Sequence, residues 1–218
     1  MRPSNSSIRS FFVVVLTSVI AAHAQVPLNS EVVVSKIEPA FVDSPQINAG
    51  GYNKKSGVGK PAPWLEIEAT FDRNVIAKAP KFAEELTFTY YVLLKNEGVT
   101  PDKKPTCLSG SVTHVFVPQE KGLHSCIFIS PRTLAKLFDG KVPVNVAQAI
   151  TDAGVTVTGK EGLLSALAWK GAVTKDGKGW WDNPAYAPTA GLMLNKNETP
   201  FAPLAWDYYE AIKSKAAN

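Results

Sequence analysis

The sequence predicts a mainly β chain, an immunoglobulin-like antiparallel β-sandwich with a short connecting helix and a C-terminal helix. Three observations point there. Runs rich in Val, Ile, Thr, Tyr and Phe recur along the chain, Gly- and Pro-containing turns separate them at short intervals, and the first strand candidates follow one another with no helical pattern between them. Strands in that succession pair antiparallel, because parallel neighbours need long crossovers. The identification is by architecture and supplies no function by itself.

Taken in order, the chain opens with Arg2 and Arg9, an apolar run from Phe11 to Ala22, and the triplet Ala22-His23-Ala24. A basic flank, a short apolar stretch and a small-residue exit make a secretory signal peptide, so residues 1–24 are expected to be removed on export. The apolar run falls short of the roughly 20 residues that a membrane span requires. No cysteine follows the exit to carry a lipid, and the Gly-Phe junction of prepilins is missing. Residues 25–218 are expected to form one sandwich with a C-terminal extension, located in the periplasm, on the outer surface or outside the cell.

Glu31–Glu38 is a β-branched run that Pro39 is expected to stop. Residues Asp43–Pro63 follow with four glycines, three prolines and three lysines, the composition of a long exposed loop. Long loops on compact domains often carry function, which makes Tyr52, Lys54, Lys55, Lys60 and the adjoining Trp64 candidate partner-binding residues. Trp64–Phe71 alternates apolar and polar residues as a strand with one wet face does, and Leu86–Leu94 is apolar enough for a central strand. Val112–Val117 and Leu123–Ile129 suggest a hairpin around Gln119–Gly122.

After that comes the connecting helix, with Ser130 as cap, Pro131 at its first position and Gly140 at its end. Val142–Val146, Val155–Thr158 and Leu163–Trp169 are further strand candidates, with a short helix inside Val144–Ala153 as the alternative to the first. Leu192–Leu194 suggests a last strand. The spacing of Trp206, Tyr209 and Ile212 predicts a helix within Pro203–Lys215.

Composition narrows the function classes. Without the leader the chain loses two of 23 basic residues and none of its 19 acidic ones, leaving a net charge of +2 with lysines scattered along the sequence. That is not the concentrated basic stripe of a nucleic-acid binder. The motifs of serine hydrolases, zinc proteases and phosphate-cradling loops are missing, so no catalytic residue, cofactor or metal is expected. Glu66 and Glu68 share a strand face and Asp182 sits beside two tryptophans. Paired carboxylates serve glycoside hydrolysis, but a solvated strand face and a turn aspartate explain them as well. Cys107, Cys126, His114 and His124 lack the tight spacing of a structural zinc site. In an oxidising compartment the two cysteines suggest a disulfide, although the expected hairpin sets Cys126 opposite about Val115 rather than Cys107; two buried thiols are the alternative. Trp180, Trp181 and Tyr186 stand in a Gly/Pro-rich stretch, either as rings for stacking on a sugar or as a cap on the sandwich.

The export signal, the strand after Gln25 and the stretch GGYNKKSGVGKPAPWLEIEATF resemble a family of verrucomicrobial secreted proteins encoded beside type IV pilus genes. The resemblance implies an immunoglobulin-like fold related to archaeal pilus subunits. It also implies a non-enzymatic pilus-associated or envelope surface role through protein partners. It brings no catalytic residue to this chain, and the missing prepilin junction separates the chain from filament-core subunits. A carbohydrate-binding module using exposed tryptophans is the alternative.

Overall fold

The computed structural model describes residues 26–27, 31–45, 62–77 and 79–214. Their strands are β1 (Val26–Pro27), β2 (Val32–Asp43), β3 (Pro63–Arg73), β4 (Phe82–Leu94), β5 (Cys107–Pro118), β6 (Leu123–Ile129), β7 (Ile150–Gly159), β8 (Gly162–Ala168), β9 (Thr189–Ala190) and β10 (Met193–Asn195). They form a six-stranded sheet ordered β1-β8-β7-β4-β5-β9 and a four-stranded sheet ordered β10-β6-β3-β2, antiparallel throughout except for the short parallel pair β5–β9. The expected mainly β sandwich is therefore what the chain builds.

Period-two alternation sets the layers. On β3, Leu65, Ile67, Ala69 and Phe71 point inward and Glu66, Glu68 and Thr70 outward; on β4, Leu86, Phe88, Tyr90, Val92 and Leu94 point inward. Phe71 and Phe88 meet between the sheets, their centroids 4.7 Å apart. Polar contacts cross this core too: Val34 N–H on β2 donates to Ser165 Oγ on β8 at 3.2 Å. His114 on β5 is 1% exposed, and its Nε2 lies 2.7 Å from Ser125 Oγ on β6 while Nδ1 lies 3.0 Å from the Glu210 carbonyl. A carbonyl only accepts, so Nδ1 carries the proton and Nε2 accepts from the serine. Burial of this neutral ring pulls its pKa down to about 4.

Four expectations need correcting. Pro39 does not end the first strand: β2 is an edge strand, where a missing N–H leaves no ladder bond unmade, and pairing continues to Asp43↔Pro63. β5 and β6 do not form a hairpin. The turn between them carries the chain from one sheet to the other, with Gly122 at φ +68 donating its N–H to Asp72 Oδ1. Local spacing looked like a hairpin, but β4 and β3 are the longer apolar partners and each captures one of the two strands. Val142–Val146 is not a strand. The helical alternative over Val144–Ala153 holds only for α2 (Val146–Ala149), capped by the Asn145 side chain, since residues 150–153 already belong to β7, while α1 (Pro131–Leu137) starts at Ser130 as expected.

The C-terminal helix is replaced by turns across 203–214. Ala205 stands at φ +50; Leu204 N–H and Tyr208 N–H close single turns on Phe201 O and Ala205 O, and beyond them the backbone bonds outward. Val115 N–H donates to Ala211 O (2.9 Å), Lys213 N–H to Thr113 O (2.7 Å) and Glu210 N–H to His124 O (3.3 Å). The segment thus closes the seam between the edges of β5 and β6, and Ile212 bridges to His114. Among the described residues no helix is long and apolar enough to cross a membrane.

Candidate functional site

Among the described residues, the candidate tryptophans, carboxylates and cysteines singled out by sequence fall on the two outer faces of the sandwich. Tyr52, Lys54, Lys55 and Lys60 lie outside the described residues, as does the expected leader. Trp64 is no exposed anchor. It is 8% exposed, donates Nε1–H to Ser44 Oγ at 2.9 Å, and meets Phe128 and Phe201 edge-on.

Trp180, Trp181 and Tyr186 belong to the outer face of the six-stranded sheet. Tyr91 on β4 and Gly154 on β7 are paired neighbours pointing outward, and Trp181 lies flat on Tyr91, centroids 5.1 Å apart and planes 6° apart. A Cβ on Gly154 would fall 2.1 Å from the Trp181 ring, so the close approach requires glycine. Trp180 packs edge-on against Trp181, and Tyr186 edge-on against Trp180. Of the two readings, Trp181 takes that of a cap on the sandwich, being only 5% exposed, while Trp180 and Tyr186 are half-buried. Asp182 accepts from Gly179 N–H at 3.0 Å, the turn aspartate of the plainer reading.

The expected disulfide is not formed. Cys107 pairs with Leu93 and points outward from the six-stranded sheet, whereas Cys126 pairs with Glu68 and points outward from the four-stranded sheet. Packed sheets stand about 10 Å apart, and a disulfide requires Cα atoms within about 7 Å. Both thiols are buried, which pushes Cys107 up to about 11 and Cys126 higher still, so both are held as unreactive thiols.

The outer face of the four-stranded sheet gathers the ionisable groups. Glu66 and Glu68 do share it, under the C-terminal segment. Tyr209 Oη donates to Glu68 Oε2 at 2.7 Å and lies 3.3 Å from Glu66 Oε1, while Tyr208 Oη donates to Glu68 Oε1 at 3.1 Å. His124 Nδ1 reaches the same Glu68 Oε1 at 3.0 Å and its ring stacks on Tyr208 at 4.0 Å. Burial, then repulsion from Glu68, raises the Glu66 carboxyl to about 7, against a smaller lowering by Tyr209. Glu66 can therefore hold a proton near neutrality. Yet both carboxylates accept from tyrosines that cover them, an arrangement that clamps the C-terminal segment in place.

Beside this clamp lies the feature that sequence reasoning missed. Lys196 and Trp206 wall a cavity of about 210 Å³ together with Asn197, Ala202, Tyr209 and Glu210. Lys196 is 5% exposed and Trp206 is 74% exposed. Nothing in the local pattern distinguished this lysine from the other scattered ones; only the turn at 203–214 brings it under the aromatics.

A protein-family model of a “-like” family matches residues 23–216. The chain belongs to that family. A crystal structure from Akkermansia muciniphila shares the fold with this family member, with a TM-score of 0.68 and 22% identity over 85% of this chain and 94% of that one. No curated protein matches the chain.

Proposed function

We propose that this family member is an exported, non-enzymatic envelope protein of the pilus-associated kind, with an immunoglobulin-like lineage, that works through protein–protein contacts. One observation carries the reading. Trp206 holds its indole 74% exposed between Leu204 (39%) and Tyr208 (48%), on a segment bonded to both sheets. A large aromatic held in solvent on a fixed backbone is the usual anchor of a protein interface. The edge of β2 is a poorer docking place, since Pro39 and the irregularity between Val34 and Lys36 interrupt its ladder. Against the glycan alternative stands Trp181, packed flat on Tyr91.

The test places a photo-crosslinking residue at position 206 on native cells, with position 144, where Val144 is 87% exposed, as control. Pilus or envelope-assembly proteins captured from 206 and not from 144 are the expected outcome. Identical captures from both, or glycans alone, would sink the reading. N-terminal sequencing of the protein from the cell exterior should begin at Gln25.

A further inference from the structure

The cavity beside Trp206 has a chemistry of its own. Lys196 Nζ sits in it, donating to the Ala202 carbonyl at 3.1 Å, with the Trp206 ring centroid 5.8 Å and the Tyr209 centroid 5.6 Å away. An ammonium carries three donors, and one is committed to Ala202. Among the described residues no carboxylate forms an ion pair with Lys196; Glu210 lines the same cavity without reaching it. A buried cation held only by one carbonyl and two ring faces is costly, and an apolar side chain of equal length would serve packing better. The cost is offset when a carboxylate enters and completes the pair in a space shielded by two aromatics.

We propose that this cavity is a carboxylate-binding site that receives an acidic side chain, Asp or Glu, from the protein partner anchored on Trp206. The proposal rests on the protein-contact reading above. Trp206 supplies apolar contact for the partner's neighbouring side chain, Lys196 pairs with the carboxylate, and Asn197 lines the wall. Glu210 disfavours a more highly charged group such as a phosphate dianion by like-charge repulsion.

The experiment uses two probe peptides, acetyl-Leu-Glu-Leu-amide and its Gln counterpart, titrated into the full chain carrying 13C-labelled lysine. The Glu peptide is expected to shift the Lys196 Cε resonance saturably and to bind about tenfold more tightly than the Gln peptide, the usual scale for one charge-assisted contact. Lys196→Met should erase that preference and Lys196→Arg should restore part of it, with an unfolding midpoint no lower than wild type as the check on folding. Equal affinity for the two peptides, absence of a saturable shift, or a preference that survives in Lys196→Met overturns the proposal. Saturable binding of glucuronate with no response to the Glu peptide overturns it too, giving the cavity to acidic sugars. The two readings fail separately: crosslinks specific to position 206 without a Glu preference leave the contact surface and remove the carboxylate site, and a Glu preference without such crosslinks does the reverse.

Discussion

The two outer faces of this sandwich are both covered by irregular chain, but by different physics. On the six-stranded sheet, the stretch around 173–186 lays Trp181 flat over Tyr91 and the bare backbone of Gly154, an apolar contact among Ala166, Ala168 and Val173. On the four-stranded sheet, residues 201–213 hold on partly through Phe201 stacked on Phe128 and partly through hydroxyls on Glu66 and Glu68. The first cover depends on shape and is indifferent to proton concentration. The second contains a carboxyl that titrates near neutrality, so its grip varies with pH and it carries the exposed aromatics. A sandwich can thus cover one outer face by shape and the other partly by hydrogen bonds to titratable groups.

The largest effect should come from the apolar cover. Trp181→Ala removes a buried indole from a bed that cannot collapse onto Gly154, and the expected loss is about 3–5 kcal/mol, read from urea unfolding. The loss should be the same at pH 5 and pH 8, since the Tyr91 hydroxyl under the ring, its pKa raised by burial, stays protonated at both. A loss below about 1 kcal/mol, within the range of surface substitutions, would mean the segment is not packed as described and would return the tryptophans to solvent.

The polar cover should answer to pH. Glu66 has its pKa raised from 4.5 to about 7, so between those values the folded state keeps a proton that the unfolded state has released. Stability from this group is therefore lost as pH rises from 4.5 through 7. Glu66→Gln should stabilise the protein at pH 8 by about 1–3 kcal/mol, the shift converted at 1.36 kcal/mol per unit and reduced for partial solvent contact, and should do nothing below pH 4. His114 pulls in the other direction. Its pKa falls from 6.5 to about 4, so its contribution is whole above 6.5 and disappears as pH falls to 4. The two slopes oppose each other between pH 4.5 and 6.5. Wild type should be nearly level in that window, and Glu66→Gln should uncover a decline on acidification.

How much of this could be read from the chain differs between the same two regions. Alternation in Trp64–Phe71 is enough to place Glu66 and Glu68 together on one face, because strand geometry forces period two. The tyrosine partners of those carboxylates come from more than 130 residues away, and no local pattern connects Tyr209 with Glu68. The C-terminal helix expectation failed for a related reason. Three-residue spacing of Trp206, Tyr209 and Ile212 imitates a helical stripe, but the open edges of β5 and β6 offer the backbone better hydrogen bonds than a single short helix would. Trp180 and Trp181 were legible as aromatics in a turn; whether they faced solvent depended on Gly154, distant in sequence and uninformative until the sheet register is known.

The smallest of these effects is also the most specific. Tyr209→Phe keeps the ring that packs near Trp64 and Phe128 and deletes only the hydroxyl shared by Glu68 and Glu66. A hydrogen bond to a charged acceptor contributes about 1.5–3 kcal/mol where buried, and a half-exposed one about 1 kcal/mol. The cost should be larger at pH 8 than at pH 5, because the Tyr209 hydroxyl stabilises ionised Glu66 and has less to act on once Glu66 is protonated. In the Glu66→Gln background that pH dependence should largely disappear, while the contribution of the Tyr209 bond to Glu68 remains. A double-mutant cycle measured at both pH values separates the two bonds. A coupling that did not change with pH would show that Glu68 alone holds the C-terminal segment, and the face opposite Trp181 would then be as insensitive to protons as Trp181's own.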